Sequence, residues 1–174
     1  MMQGRMEKMM VREATLSDVA HLVKFNLAMA WETEKRRLDK QRLLAGITAI
    51  VECSTRGVYL VGEVSRPNGK REVMSQLLIT YEWSDWRNGH FWWIQSVYVH
   101  PEWRGQGVFR RMYQYVEQKA KSSEEVCGIR LYVEHKNTMA LAVYERLGFS
   151  HTSYRILETD FILSHHTTPS SLEQ

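Results

Sequence analysis

The sequence predicts a mixed α/β domain of the α+β kind, with a mostly antiparallel central sheet, a parallel strand pair and flanking helices. Three features predict it. Apolar residues recur at helical spacing over residues 19–30 and 43–51, the pattern of an amphipathic helix's buried stripe. From residue 58 the period shortens, and two turn signals, Pro67-Asn68-Gly69-Lys70 and Asn88-Gly89, separate three strand-like runs. A strand, a glycine-bearing loop, a helix and another strand follow, and a crossover of that length joins parallel neighbours.

Each element has its own warrant. Residues 11–14 form a short lead-in, and Ser17-Asp18 are helix-start residues. Val19, Leu22, Val23, Leu27 and Ala30 make a first helix to about Trp31, and residues 32–40, almost wholly polar, read as an exposed connection. Leu43, Leu44, Ile47, Ile50 and Val51 make a second helix that ends before Gly57. Residues 58–64, 73–83 and 91–99 are the strands of an antiparallel meander, because Gly and Asn at the turns tolerate positive φ. Residues 101–106 are a loop, and Val108, Met112, Tyr115, Val116 and Ala120 mark a helix. Residues 129–133 are the parallel strand, residues 138–147 a last helix closed by Gly148, and residues 151–163 one or two final strands. Residues 1–8 are expected to be a flexible lead, residues 9–163 one domain, and residues 164–174 a disordered tail.

Composition bounds the function. The 174 residues are 44% hydrophobic and 25% charged, which suits one globular domain. Two cysteines, Cys53 and Cys127, exclude a disulfide framework. No apolar run reaches the roughly 20 residues of a membrane span. The methionine-rich start lacks a secretory apolar core, so a reducing, cytoplasmic location is expected. A net charge of +3 is too mild to argue for nucleic acid. Five of six tryptophans, Trp83, Trp86, Trp92, Trp93 and Trp103, fall within residues 83–103.

The most informative stretch is Arg104-Gly105-Gln106-Gly107-Val108-Phe109, between a strand and a helix. Glycines let the backbone approach an anion closely, helix N-terminal N–H groups attract one, and an arginine adds charge-assisted hydrogen bonds. A dinucleotide fingerprint would need glycine where Arg110 stands, and a nucleotide P-loop would need Gly-Lys-Ser/Thr. A tight turn into an ordinary helix is the remaining alternative for the loop taken alone.

The chain resembles the GCN5-related N-acetyltransferase (GNAT) superfamily. The loop matches its Gln/Arg-x-x-Gly-x-Gly/Ala pattern, preceded by Val97-Tyr98-Val99 and Pro101. A second signature is matched by Asn137-Thr138-Met139-Ala140-Leu141-Ala142-Val143-Tyr144 with Gly148-Phe149. The order of elements fits over about residues 9–163. Phe109 departs from the pattern, and its ring is expected to face the core beside Met112 and Tyr113. The resemblance implies that the parallel strands splay and take acetyl-CoA between residues 91–99 and 129–134. Backbone groups of Val97 and Val99 would meet pantetheine and thioester, with an oxyanion-stabilising N–H near Tyr98. N–H groups of Arg104, Gly105, Gln106, Gly107, Val108 and Phe109 would meet the pyrophosphate. Asn137 would bond pantetheine or serve as a helix N-cap.

By the same resemblance Tyr144 is the general acid for the leaving thiolate. An ammonium must lose a proton before it attacks a thioester. Glu82 and Glu34 are the carboxylates assigned to the catalytic set. Glu32, Asp85, Glu134, His90, His100 and His135 stay as alternatives, each an ordinary surface group if not a base. No spacing reads as a metal site, and neither cysteine occupies a motif position, which points to direct transfer in a ternary complex. Trp83, Trp86 and Trp93 either pack the sheet or wall an acceptor pocket, while nucleic-acid stacking ranks last beside Glu82, Asp85 and Glu102. The expected protein is an acetyl-CoA-dependent N-acetyltransferase acting on a small-molecule primary amine, without nucleic acid, membrane or metal, and with a homodimer left open. A protein acetyltransferase and a non-catalytic acyl-CoA-binding module are the rivals.

Overall fold

Thr15 and Asp18 start the helical part of the chain, where a single 3-10 turn (Leu16–Asp18) is closed by a capping box and runs into helix α1 (Val19–Glu34). The structure is a computed structural model that describes residues 9–66 and 69–162. It forms two units, residues 1–136 and 137–174. In the first, strands β1 (Met9–Glu13), β2 (Val58–Ser65), β3 (Arg71–Ser84), β4 (Gly89–Val99) and β5 (Val126–Leu131) make one sheet in sequence order. The first three pairings are antiparallel and β4–β5 is parallel. Helices α2 (Lys40–Val51) and α3 (Val108–Lys121) complete this unit, and the second contains α4 (Thr138–Arg146). The mixed, mostly antiparallel sheet with one parallel pair is the fold class that the sequence predicts.

The apolar stripes bury themselves as their spacing requires. Val19, Leu22 and Val23 of α1 pack with Ile47 of α2 and with Tyr59 and Val61 of β2. Fully burying such a side chain is worth about 1.5–3 kcal/mol. Leu60, between Tyr59 and Val61, is also buried. Successive strand residues point to opposite faces, so the sheet is covered on both. Val108, Met112, Val116 and Ala120 of α3 are buried at a spacing of four, and α3 packs across all five strands.

Several boundaries differ from expectation: β3 and β4 each begin two residues early, and β5 ends at Leu131 rather than at 133 or 134. Helix α1 continues to Glu34, so Glu32 and Glu34 belong to its last turn rather than to the connection. It stops where Lys35 adopts a left-handed φ of 54° and Arg36 N–H bonds Ala30 O at 3.2 Å, a C-terminal cap that needs no glycine. Strand β5 starts three residues early because His90 N–H bonds Glu125 O at 2.7 Å and Gly128 sits opposite Phe91. A Cβ on Gly128 would lie 2.6 Å from the Phe91 ring, so only glycine fits the close approach there. The final strands expected in residues 151–163 are absent from described residues 151–162. Polar residues 158–160 interrupt the apolar run, and Asp160 Oδ1 accepts the Ile162 N–H at 2.7 Å, a local turn that competes with extended pairing. The Pro67-Asn68 turn centre, residues 1–8, Leu163 and the tail at 164–174 lie outside the described residues.

Candidate functional site

The β4–β5 ladder ends at the Ile94–Leu131 pair, but β4 continues to Val99. Residues 95–99 therefore have an edge that β5 does not cover. On the other side β4 still pairs with β3, through Leu77–Val97, Gln76–Tyr98 and Ser75–Val99. His100 N–H bonds Met74 O at 2.9 Å. Hydrogen-bonding direction alternates along a strand, so Tyr98 turns its N–H and C=O to β3. Val97 and Val99 turn theirs to the open edge. A buried backbone group needs a partner, and β5 supplies none along this edge. The N–H near Tyr98 that could meet an oxyanion is thus that of Val97 or Val99, not that of Tyr98 itself.

The open strand leads through a 3-10 turn (Pro101–Trp103) into the glycine loop. Gly105 and Gly107 have φ of 72° and 80°, and nothing lies within 4 Å of a Cβ built on either. They are glycines because the chain turns left-handed there, not because the space is filled. Gly107 is the N-cap of α3, and its carbonyl takes the first intrahelical bond, from Arg111 N–H at 3.1 Å. The earlier helical N–H groups, beginning with that of Val108, have no carbonyl inside the helix and point out of its positive end. Gln106 donates its side-chain amide to Glu102 O at 2.8 Å, which closes the loop on itself. Phe109 is half-buried, its ring centroid 6.3 Å from that of Tyr113, one turn on.

Arg104 does not extend toward this loop. Its Nε donates to Val99 O at 2.9 Å, on the open edge, and its Nη2 donates to Glu32 Oε2 at 2.6 Å. Glu32 Oε1 accepts the Tyr98 hydroxyl at 2.8 Å, and the guanidinium lies 5.3 Å from the Tyr98 ring centroid. This clasp joins the end of α1, the end of β4 and the start of the loop. Burial pushes the Glu32 carboxyl up. The Arg104 and Tyr98 hydrogen bonds and the nearby charge outweigh that and leave its pKa below the ordinary value. Tyr98 is raised, by burial first and then by the Glu32 carboxylate. Phe25 of α1 packs on Tyr98 at 5.2 Å. Along these strands and just after β4, Gln76 is fully buried, and among the described residues neither its amide atoms nor Ser96 Oγ nor His100 Nδ1 has a hydrogen-bond partner.

A second cluster lies nearer the β3–β4 turn. Glu82 accepts from the Trp93 indole and from Arg130 Nη1, the latter at 2.6 Å. Arg130 stands 3.6 Å over the Phe91 centroid, and Trp93 stacks on Tyr132 at 4.3 Å. Cross-strand partners share a face. Hence Glu82, Phe91 and Trp93 lie on one face, while Trp83, His90 and Trp92 lie on the other. Trp83 packs edge-on to His90 at 4.9 Å. Trp86 is 85% exposed in the turn, and Trp103 is buried. The structure therefore does not bring Trp83, Trp86 and Trp93 together. Glu34 is exposed in the last turn of α1, with Arg36 3.7 Å away.

In the second unit Asn137 is the N-cap of α4, its Oδ1 accepting Ala140 N–H at 3.1 Å. Gly148, at φ 91°, ends the helix, with Phe149 N–H bonded to Tyr144 O at 3.0 Å. Tyr144 packs edge-on to Phe149, centroids 5.9 Å apart, and burial raises its phenol pKa. Sequence reasoning passed over Arg130, a cation within an otherwise apolar strand. Strand parity placed it on the Trp93 face, and a half-buried cation requires a carboxylate there.

A model of the acetyltransferase (GNAT) family matches residues 27–149. Among solved structures, a possible acetyltransferase from Clostridium difficile 630 is 40% identical, with a TM-score of 0.80 over 89% of this chain and 99% of that one. The aminoglycoside N-acetyltransferase AAC(6')-Iy in complex with CoA is 14% identical, with a TM-score of 0.69 over 88% and 95%. A Trypanosoma brucei acetyltransferase is 21% identical, with a TM-score of 0.64 over 87% and 99%. No curated protein matches the chain significantly in sequence. The chain belongs to the acetyltransferase (GNAT) family and is an N-acetyltransferase by class. Among the described residues no helix is long and apolar enough to cross a membrane.

Proposed function

We infer that the protein transfers an acetyl group from acetyl-CoA to a primary amine of a small molecule, by direct attack in a ternary complex. The observation that carries this reading is the open edge of β4 running straight into a loop of left-handed glycines at a helix N-terminus. An extended amide chain pairs with such an edge, and a pyrophosphate suits such a loop. Val97 and Val99 take up the pantetheine amides, and one of their N–H groups faces the developing oxyanion. The N–H groups from Arg104 to Phe109 hold the pyrophosphate. Asn137, an N-cap through its Oδ1, retains its amide N–H for pantetheine.

The ammonium first gives one proton up through a carboxylate or water. The amine nitrogen then bonds the acetyl carbon, the carbon–sulfur bond breaks, and Tyr144 gives its proton to the departing thiolate. The new amide nitrogen sheds a second proton, which restores the Tyr144 phenol. Of the two assigned carboxylates, Glu34 forms one ion pair among the described residues, with Arg36, whereas Glu82 already holds Trp93 and Arg130. A structure of similar fold is that of an aminoglycoside N-acetyltransferase, which supports a small molecule as the acceptor. A Tyr144→Phe variant should keep its affinity for CoA by calorimetry while free-CoA release over an amine panel slows about 10²-fold, the scale of general acid catalysis. Undiminished release would remove Tyr144 from that role. Absence of CoA binding in the unaltered protein would remove the reading itself.

A further inference from the structure

We propose that the amine acceptor carries an anionic group, a carboxylate or phosphate, and that the basic connection between α1 and α2 recognises it. The inference rests on the acetyl-transfer reading above. Glu32, bonded to Tyr98 and Arg104, fixes the last turn of α1 beside the end of the open strand edge. The connection leaves α1 at Lys35, three residues on, and so borders the mouth of the site.

Residues 31–42 hold five cations, Lys35, Arg36, Arg37, Lys40 and Arg42, against Glu32, Glu34 and Asp39. Every one of those acids is already committed. Glu32 is spent on Arg104 and Tyr98, and Glu34 faces Arg36. Asp39 caps α2, accepting the N–H groups of Gln41 and Arg42 at 2.8 and 3.0 Å. Lys35, Arg37, Lys40 and Arg42 form no ion pair among the described residues. Lys35 and Arg37 instead lie 5.8 and 5.7 Å from the ring of half-exposed Trp31. Glu82, the carboxylate beside Trp93, is likewise paired, with Arg130. Lys35 Nζ also donates to the backbone O of Glu32 at 3.5 Å. Within residues 31–42 the cations outnumber the carboxylates, and each of those carboxylates already has a partner. Such a surface repels a polycation and gathers an anion, and an arginine fork matches a carboxylate or phosphate. The donor's 3′-phosphate is the other source of that chemistry, so the test separates the two.

The test compares matched acceptors by free-CoA release: phosphoethanolamine against ethanolamine, glycine against glycinamide, with spermidine and kanamycin as polycations. The anionic member of each pair should show at least tenfold higher kcat/KM at low salt, and the gap should shrink as salt screens it. A Lys35→Gln, Arg37→Gln double variant should reduce the gap below threefold through the KM of the anionic acceptor. A Lys40→Gln, Arg42→Gln variant gives the same readout should the first not fold. Equal rates within pairs, or preference for the polycations, overturn the proposal while leaving acetyl transfer intact. So does a KM increase for acetyl-CoA that is absent with acetyl-dephospho-CoA, since the segment then serves the donor. Absence of CoA release with every acceptor, together with absence of CoA binding, defeats the acetyl-transfer reading instead.

Discussion

Glu32 looks like a solvated surface carboxylate in the sequence, yet it ties three elements together through Tyr98 and Arg104. Its side chain and that of Arg104 are each more than a third exposed, at 39% and 46%. Exposed ion pairs are worth about 0.2–1 kcal/mol, so the clasp orients the loop more than it stabilises the protein. A Glu32→Gln variant should therefore weaken CoA binding about two- to fivefold in a calorimetric titration, with the melting temperature almost unmoved. A large drop in melting temperature with unchanged affinity would make Glu32 a structural residue only. The motif gave Arg104 as a charge near phosphate, and nothing in the sequence pointed its guanidinium at Glu32, 72 residues away. Contacts at that separation depend on how helices and strands meet, which residue spacing along one element does not encode.

At the scale of elements, the loop is the part most legible beforehand, because left-handed turns restrict composition so sharply. Gly107 combines a φ of 80° with the N-cap of α3. Valine there takes a conformation in which β-branched residues are true outliers, at a cost of about 1–2 kcal/mol. Either the turn reshapes or the strain is carried in the folded state. Gly107→Val should lower the melting temperature by about 2–8 °C and weaken CoA binding at least tenfold. Intact affinity would show that the loop does not hold the pyrophosphate. The meander, both early helices and α3 were legible for the same reason: their periods and turns are local. The β5 boundary and the missing strands after residue 150 were not. β5 begins where Gly128 lets Phe91 approach, a cross-strand fit, and residues 151–162 carry an apolar pattern that lacks the pairing a strand requires.

Across the molecule, one charged network links elements that the sequence leaves far apart. Arg12 of β1 holds Asp18 with two hydrogen bonds, at 2.8 and 2.9 Å, and Glu63 of β2 with a third at 2.9 Å. Arg71 of β3 reaches the other oxygen of Glu63 at 2.9 Å. Asp18 also accepts the N–H and hydroxyl of Thr15, at 2.8 and 3.0 Å. The bidentate arginine holds its carboxyl at about 2, against 3.8 ordinarily, with Thr15 adding to the effect and burial opposing it. A depressed carboxyl pKa means that the folded state binds its proton less readily than the unfolded chain. The stabilisation is thus complete above about pH 4 and is lost as pH falls through about 2. A shift of this size corresponds to about 2 kcal/mol. Asp18→Asn keeps the shape and removes the titration. Denaturant unfolding at pH 7, 4 and 2 should find the variant about 2 kcal/mol less stable at pH 7, with the gap closing towards pH 2. Parallel stability curves across that range would show that the Arg12–Asp18 pair carries none of the acid sensitivity.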